Sequence, residues 1–296
     1  MRHVIDRSAI MVEKYYDMPF FTFLRFELNQ HFSNKLRWIL TPLVSSFIAY
    51  VQFGIVLARA QNVSLSANVW DALLAVFTNQ RLILFVSTPL FCYLISDLLP
   101  ESTFEQTIIP KIGSRRLWWQ GKTLALAMMV IFYVGVSLIM VMAIATIVFP
   151  WQQEWSLLSL KYFSELGAYS AIFVFSPVAI TGIQLALLGF WWFSLGLLVM
   201  IFAQKFQRSG IGFLAGIIAN FIPQTIDWYG MFPPSIANFL STEYVFIITR
   251  ISQDTNTGIA TVFYMVFYWV VWIAVFYVLG LKMSLRQDFI QAEGKG

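Results

Sequence analysis

The chain is poor in the residues on which soluble chemistry depends. Among 296 residues there is one cysteine and there are two histidines. The lone Cys92 excludes an internal disulfide and a cysteine metal cluster. His3 and His31 are too few for a histidine-rich catalytic metal site. Charge is scarce as well: Asp, Glu, Lys and Arg make up 11% of the chain, against about 25% in an ordinary globular protein. So few charges cannot clothe a water-facing surface of this size, which argues against a soluble enzyme. The sequence also lacks H-E-x-x-H, G-x-S-x-G and a dinucleotide fingerprint. No catalytic, cofactor-binding or metal-binding residue is therefore assigned.

What the chain has instead is apolar surface. Hydrophobic residues reach 59% and aromatics 18%, and the mean hydropathy is +0.72. The solvent must be lipid for much of the chain. The tripeptide Gly121-Lys122-Thr123 invites a phosphate-loop reading, but the required earlier glycine is replaced by Arg116. The opening residues carry acids and bases without an apolar core and cleavage site, so no removable signal peptide is expected.

Three regions are expected: a cytoplasmic N-terminal region over 1–37, a transmembrane domain over 38–281 and a cytoplasmic tail over 282–296. Within the first, residues 19–37 place Phe21, Leu24, Leu28 and Phe32 at helical spacing, with Arg25, Asn29 and Lys35 turned away. This predicts an amphipathic interfacial helix. Span 1 is read over 38–58, with Pro42 in its first turn. Residues 59–81 read as a polar connection. Span 2 follows over 82–99, bent at Pro89, with Asp97 near its end. Span 3 covers 123–149, and the tryptophans at 151 and 155 suit an interfacial belt. The apolar stretch 171–203 is divided by Pro177 and Gly182. It reads as an interfacial or re-entrant piece over 165–182 followed by span 4 over 183–203, with one long tilted helix as the alternative. Span 5 starts at Ile211 and is interrupted by Asn220, Pro223, Gln224 and Asp227. Its Gly212 and Gly216 make one GxxxG, which reads as ordinary glycine enrichment slightly better than as a close helix contact. The short apolar patch 244–251 is expected to rest on the membrane surface. Span 6 covers 258–281.

Six spans put both termini on one side. Of the 19 Lys and Arg residues, only Arg59, Arg81, Lys161 and Arg250 then fall on the other side. The positive-inside rule makes the terminal side cytoplasmic, so the net charge of +4 reflects topology and not nucleic-acid binding. The loop 100–122 is the most organised cytoplasmic segment. Phe104, Ile108, Ile109, Ile112 and Leu117 form an apolar side, Glu101, Glu105, Lys111, Arg115 and Arg116 lie outside it, and Trp118 and Trp119 are headgroup anchors. Asp227, Asn220 and Gln224 are candidate pathway residues, because polar groups within an apolar span face protein or water.

Six helical spans, the amphipathic approach and the loop ESTFEQTIIPKIGSRRLWWQGK resemble the ABC-2 type permeases of bacterial ABC transporters. The resemblance covers most of the chain by topology and 101–123 more sharply. It implies an all-α polytopic protein of the bacterial plasma membrane, with a coupling helix between spans 2 and 3. Glu101, Glu105, Lys111, Arg115, Arg116 and Lys122 would then couple to a separate cytoplasmic ATPase. Two ATPase copies would bind ATP and Mg, and a second permease copy or a homologous permease would complete the membrane part. An exporter of a peptide antibiotic or another amphipathic substrate is the implied role. The residues alone leave open an ion-gradient-driven carrier, a membrane scaffold and, least of all, a membrane enzyme.

Overall fold

The computed structural model describes residues 20–33, 35–99, 114–165, 174–229, 242–253 and 258–286. The described residues are helical, with no strand among them. The helices are α1 (Phe20–Ser33), α2 (Lys35–Val63), α3 (Val69–Phe77), α4 (Gln80–Ile95), α5 (Arg115–Val148), α6 (Leu157–Glu165), α7 (Pro177–Phe206), α8 (Ser209–Tyr229), α9 (Ile247–Gln253) and α10 (Gly258–Arg286). Four are long and apolar enough to cross a membrane: α2 from Leu36, α5, α7 and α10. The bent pair α3 and α4 makes a fifth candidate, while α8 is apolar over the shorter stretch Ser209–Ile222. The chain is thus a polytopic helical membrane protein.

The packing explains why so apolar a chain holds a defined shape. α7 is the central helix, with Leu187, Leu188, Leu197 and Met200 excluded from solvent. Tyr133 and Trp192 meet edge-on at 4.9 Å, and the Trp192 indole N–H donates to Thr88 at 3.0 Å. By contrast, Phe47, Ile131, Phe263 and Phe267 are all at least 65% exposed. A surface this apolar is suited to lipid and not to water.

Several expectations are corrected. Residues 59–81 are not simply a polar connection, because they contain α3, whose nine residues are nearly all buried. Asn68 and Asp71 start it with a reciprocal capping box: Asn68 Oδ1 accepts from the Asp71 N–H at 3.3 Å, and the Asn68 N–H donates to Asp71 Oδ2 at 2.6 Å. The 49° bend falls between Phe77 and Gln80, not at Pro89. There Asn79 caps α4 by accepting from the Leu82 N–H.

Pro89 is accommodated differently. It follows a π-helical turn over Ile83–Ser87, in which the Thr88 N–H bonds the Ile83 carbonyl. The next bond in that register would run from residue 89 to Leu84, and proline has no N–H to make it. Asn220 Nδ2 donates to the Leu84 carbonyl at 2.8 Å and satisfies it. Pro42, expected in a first turn, lies well inside α2, because the helix begins at Lys35. Pro177 starts α7 at a position that tolerates its missing N–H. Gly182 does not divide that helix, so one long helix describes 177–206 better than a break. Residues 166–173 of the expected interfacial piece lie outside the described residues. α8 runs on through 220–227 without a backbone break.

The GxxxG is a close contact and not mere glycine enrichment. A Cβ on Gly212 would sit 2.6 Å from the Val199 carbonyl oxygen, and one on Gly216 would sit 2.6 Å from Val199 Cγ2 and 3.0 Å from Cys92 Sγ. α7 turns into α8 through Gln207, which takes the left-handed conformation at φ 54°. The patch 244–251 packs against protein: Val245, Phe246 and Ile247 are at most 1% exposed. Gln184 of α7 holds its backbone, donating to the Val245 carbonyl at 3.0 Å and accepting from the Ile247 N–H at 3.1 Å. Trp269 of α10 donates to the Tyr244 carbonyl at 2.9 Å. These bonds satisfy irregular backbone that lipid would leave open.

Candidate functional site: the charged joint at the α1 end

α1 is amphipathic, but its buried face is rotated from the expected one. Phe23, Leu24, Glu27 and His31 are buried, while Phe21 is 79% exposed. The face is chosen by what it meets. Phe23 seats against Gly121 of α5, where a Cβ would lie 2.3 Å from its ring. A larger residue at 121 has no room unless Phe23 moves. One turn along α1, Glu27 meets Lys122, the next residue of α5. The ammonium Nζ donates to Glu27 Oε2 at 2.8 Å and to the Leu98 carbonyl at 3.3 Å. Both side chains are at most 1% exposed. Lys122 is therefore not the end of a loop but a buried residue two turns inside a helix.

Three further ionisable groups join the pair. His31 Nε2 lies 3.5 Å from Glu27 Oε2, and His31 Nδ1 lies 3.7 Å from Asp97 Oδ1. These are ion-pair distances, longer than tight hydrogen bonds. Arg37 at the start of α2 donates to Asp97 Oδ2 and to the Tyr93 carbonyl, and its guanidinium lies 4.4 Å from the Tyr93 ring centroid. The Trp38 indole N–H donates to the His31 carbonyl at 3.1 Å. α1, α2, the end of α4 and α5 are thus tied at one electrostatic joint.

Burial and charge oppose each other here. Burial alone would raise the Glu27 carboxyl, but the Lys122 ammonium beside it and the neighbouring His31 hold it below the ordinary carboxylate range. Burial would lower His31, and Lys122 opposes its charge, yet the carboxylates of Asp97 and Glu27 raise it above its ordinary value. Asp97 is held low against desolvation by His31 and Arg37. The joint favours charged partners on both sides. Among the described residues, no group of three or more His, Cys, Asp or Glu is placed to hold a metal. Its chemistry is that of a latch.

The other sequence-derived site residues fall in separate places. Arg115 and Arg116 open α5 instead of lying in a loop. Arg115 donates to the Leu285 carbonyl of α10 at 3.0 Å, so it ties two helix ends. Arg116 is exposed. Glu101, Glu105 and Lys111 lie outside the described residues, as do the apolar residues 104–112. Trp118 and Trp119 are not headgroup anchors, being 1% and 0% exposed. Trp119 fills a slot over Gly280, where a Cβ would meet its ring at 2.1 Å. Asn220 is fully buried and repairs the proline site of α4. The side chains of Gln224 and Asp227 lie outside the described residues.

Sequence reasoning misses Glu27, His31 and Arg37. Glu27 and His31 are four apart on one helix, a spacing that puts acid and base on the same face. That spacing is the available signal, whereas the phenylalanines alone point to a different face. No family model matches the chain, and no curated protein or solved structure is significantly similar to it.

Proposed function

We propose that this chain is the permease subunit of an ATP-driven bacterial exporter of the ABC-2 type, working with a separate cytoplasmic ATPase. The observation that carries the reading is the buried joint. It fastens the amphipathic α1 to α5 through Glu27 and Lys122, and to α2 and α4 through His31, Asp97 and Arg37. A partner that pushes on α1 or on the segment before α5 would move these helices together, because separating them exposes buried charges. α8 would act as the sixth span, with α9 and the preceding turn as the non-cytoplasmic element between spans 5 and 6. The termini would then be cytoplasmic in the plasma membrane, and two permease copies or two related permeases would meet two ATPases. An amphipathic peptide fits the aromatic membrane body as cargo.

Arg116 is an exposed cation about 9 Å of helix rise before Lys122 on α5 and belongs to the docking face in this reading. Arg115 contributes by holding the end of α10. The test is photo-crosslinking in the host cell from a benzophenone amino acid at position 116, with position 263 on the lipid-facing side of α10 as control. Adducts with a cytoplasmic ATPase from 116 and none from 263 support the reading. Absence of an ATPase adduct from 116 in a correctly inserted chain refutes it.

A further inference from the structure

A second polar site lies at the other end of the bundle. Arg59 follows Arg37 along α2 by about 33 Å of helix rise, so the two mark opposite ends of that helix. Between α2, α3 and α6 is a cavity of about 170 Å³ lined by Gln52, Arg59, Asp71, Thr78, Ser159 and Tyr162. Ile55, Leu74 and Phe163 give it apolar walls. Arg59 and Tyr162 are exposed and stand at its mouth, whereas Gln52, Asp71 and Ser159 are buried.

Among the described residues, the charges in this cavity are not neutralised by an ion pair. Asp71 Oδ1 accepts from the hydroxyls of Ser156 and Ser159, and Oδ2 accepts from the Asn68 N–H. Among the described residues no cation pairs with it. Arg59 has the face of Tyr162 at 5.9 Å and, among the described residues, no carboxylate. The two opposite charges line one cavity without pairing with each other. Gln52 accepts from Asn79 Nδ2 at 3.3 Å, and its own NH₂ has no protein acceptor among the described residues.

We infer that this cavity binds a zwitterionic headgroup carrying a primary amine and a phosphate. The ammonium sits by Asp71, and the phosphate takes the Arg59 guanidinium and the Gln52 amide. A purely anionic ligand would bring its charge against Asp71, and a purely cationic one would meet Arg59. The volume suits a headgroup but not a whole amphiphile. The apolar walls, and the half-exposed Trp151 beside the start of α3, suit a lipid headgroup. The inference does not rest on the ATPase reading, since it uses residues at the end remote from the charged joint.

The test is native mass spectrometry of the full chain exchanged with vesicles of dioleoyl phosphatidylethanolamine, phosphatidylcholine or phosphatidylglycerol. The expected result is at least tenfold greater retention of phosphatidylethanolamine than of the other two. Arg59→Gln and Gln52→Glu, the latter keeping the oxygen that accepts from Asn79 while placing an anion against the phosphate, should each lower that retention at least fivefold while the thermal unfolding of the protein stays unchanged. Asp71 also caps α3, so replacing it would disturb the fold together with the site, and the two milder variants serve instead. Soluble phosphoethanolamine at millimolar concentration separates two sources of the same chemistry. Displacement of the lipid assigns the site to the amine–phosphate unit alone, and persistence of the lipid assigns it to a membrane phospholipid. Equal retention of the three lipids by the native chain overturns the inference, as does an undiminished preference in both folded variants.

Discussion

Replacing Lys122 by methionine keeps the length of the side chain and removes its charge. Glu27 is then left almost fully buried, with His31 at 3.5 Å as its remaining cationic neighbour. Breaking a buried ion pair from one side costs about 3–5 kcal/mol, because the survivor is uncompensated. At about 1.4 kcal/mol per decade, that corresponds to a shift of roughly two to three and a half decades in the equilibrium between seated and released α1. Hydrogen exchange over Phe20–Ser33 reads this directly, with α7 as the internal control, since local release exchanges independently of global unfolding. Lys122→Met should speed exchange in α1 at least 100-fold. The double variant Glu27→Gln, Lys122→Met leaves no unpaired charge and should recover most of the loss. If the single variant exchanges within threefold of the native chain, or the double variant is no better than the single, the joint does not hold α1.

The joint also predicts a pH window. Because His31 is raised, its contribution is complete below its ordinary value of about 6.5 and is lost as pH rises through the raised one. Because Glu27 and Asp97 are lowered, theirs is complete above about 4.5 and is lost as pH falls through the lowered values. Exchange in α1, corrected for its intrinsic pH dependence, should be slowest between these limits and faster once pH rises through the raised His31 value, with the same His31 step missing in His31→Gln. Gly212→Leu should lower stability by about 1–3 kcal/mol or more, because the Val199 carbonyl cannot move aside for a side chain; thermal unfolding in detergent measures it. Asn220→Leu should cost about 1–3 kcal/mol by leaving the Leu84 carbonyl unsatisfied, with the loosening visible as faster exchange in α4.

Helix content and the main spans are legible in the sequence because long apolar runs need only length and composition. Span 6 and the central part of span 1 are examples, since neither depends on a partner. α3 is hidden because its nine residues are too short for a span, and burial comes from its tertiary neighbours. Pro89 suggests a bend that is absent there, because the π turn and Asn220, remote in sequence, together absorb the missing N–H. The same remoteness obscures the site. Lys122 reads as a loop cation in sequence, whereas its partner Glu27 lies 2.8 Å away and 95 residues earlier in the chain. The bond from Asn220 to a backbone carbonyl on α4 leaves no mark in the sequence either. The expected face of α1 holds in part: Leu24 is buried and Phe32 packs on Trp38 and Phe132, but Gly121 seats Phe23, while Phe21 stays exposed.

The most direct test of the proposed role is gentle affinity purification of the full chain from its host membrane, with quantitative mass spectrometry and an ATP hydrolysis assay of the recovered complex. A cytoplasmic ATPase at about one copy per permease copy is the expected result, with hydrolysis lowered by Arg116→Glu without loss of the membrane subunit. Reproducible recovery of the intact, correctly inserted chain without an ATPase would contradict it.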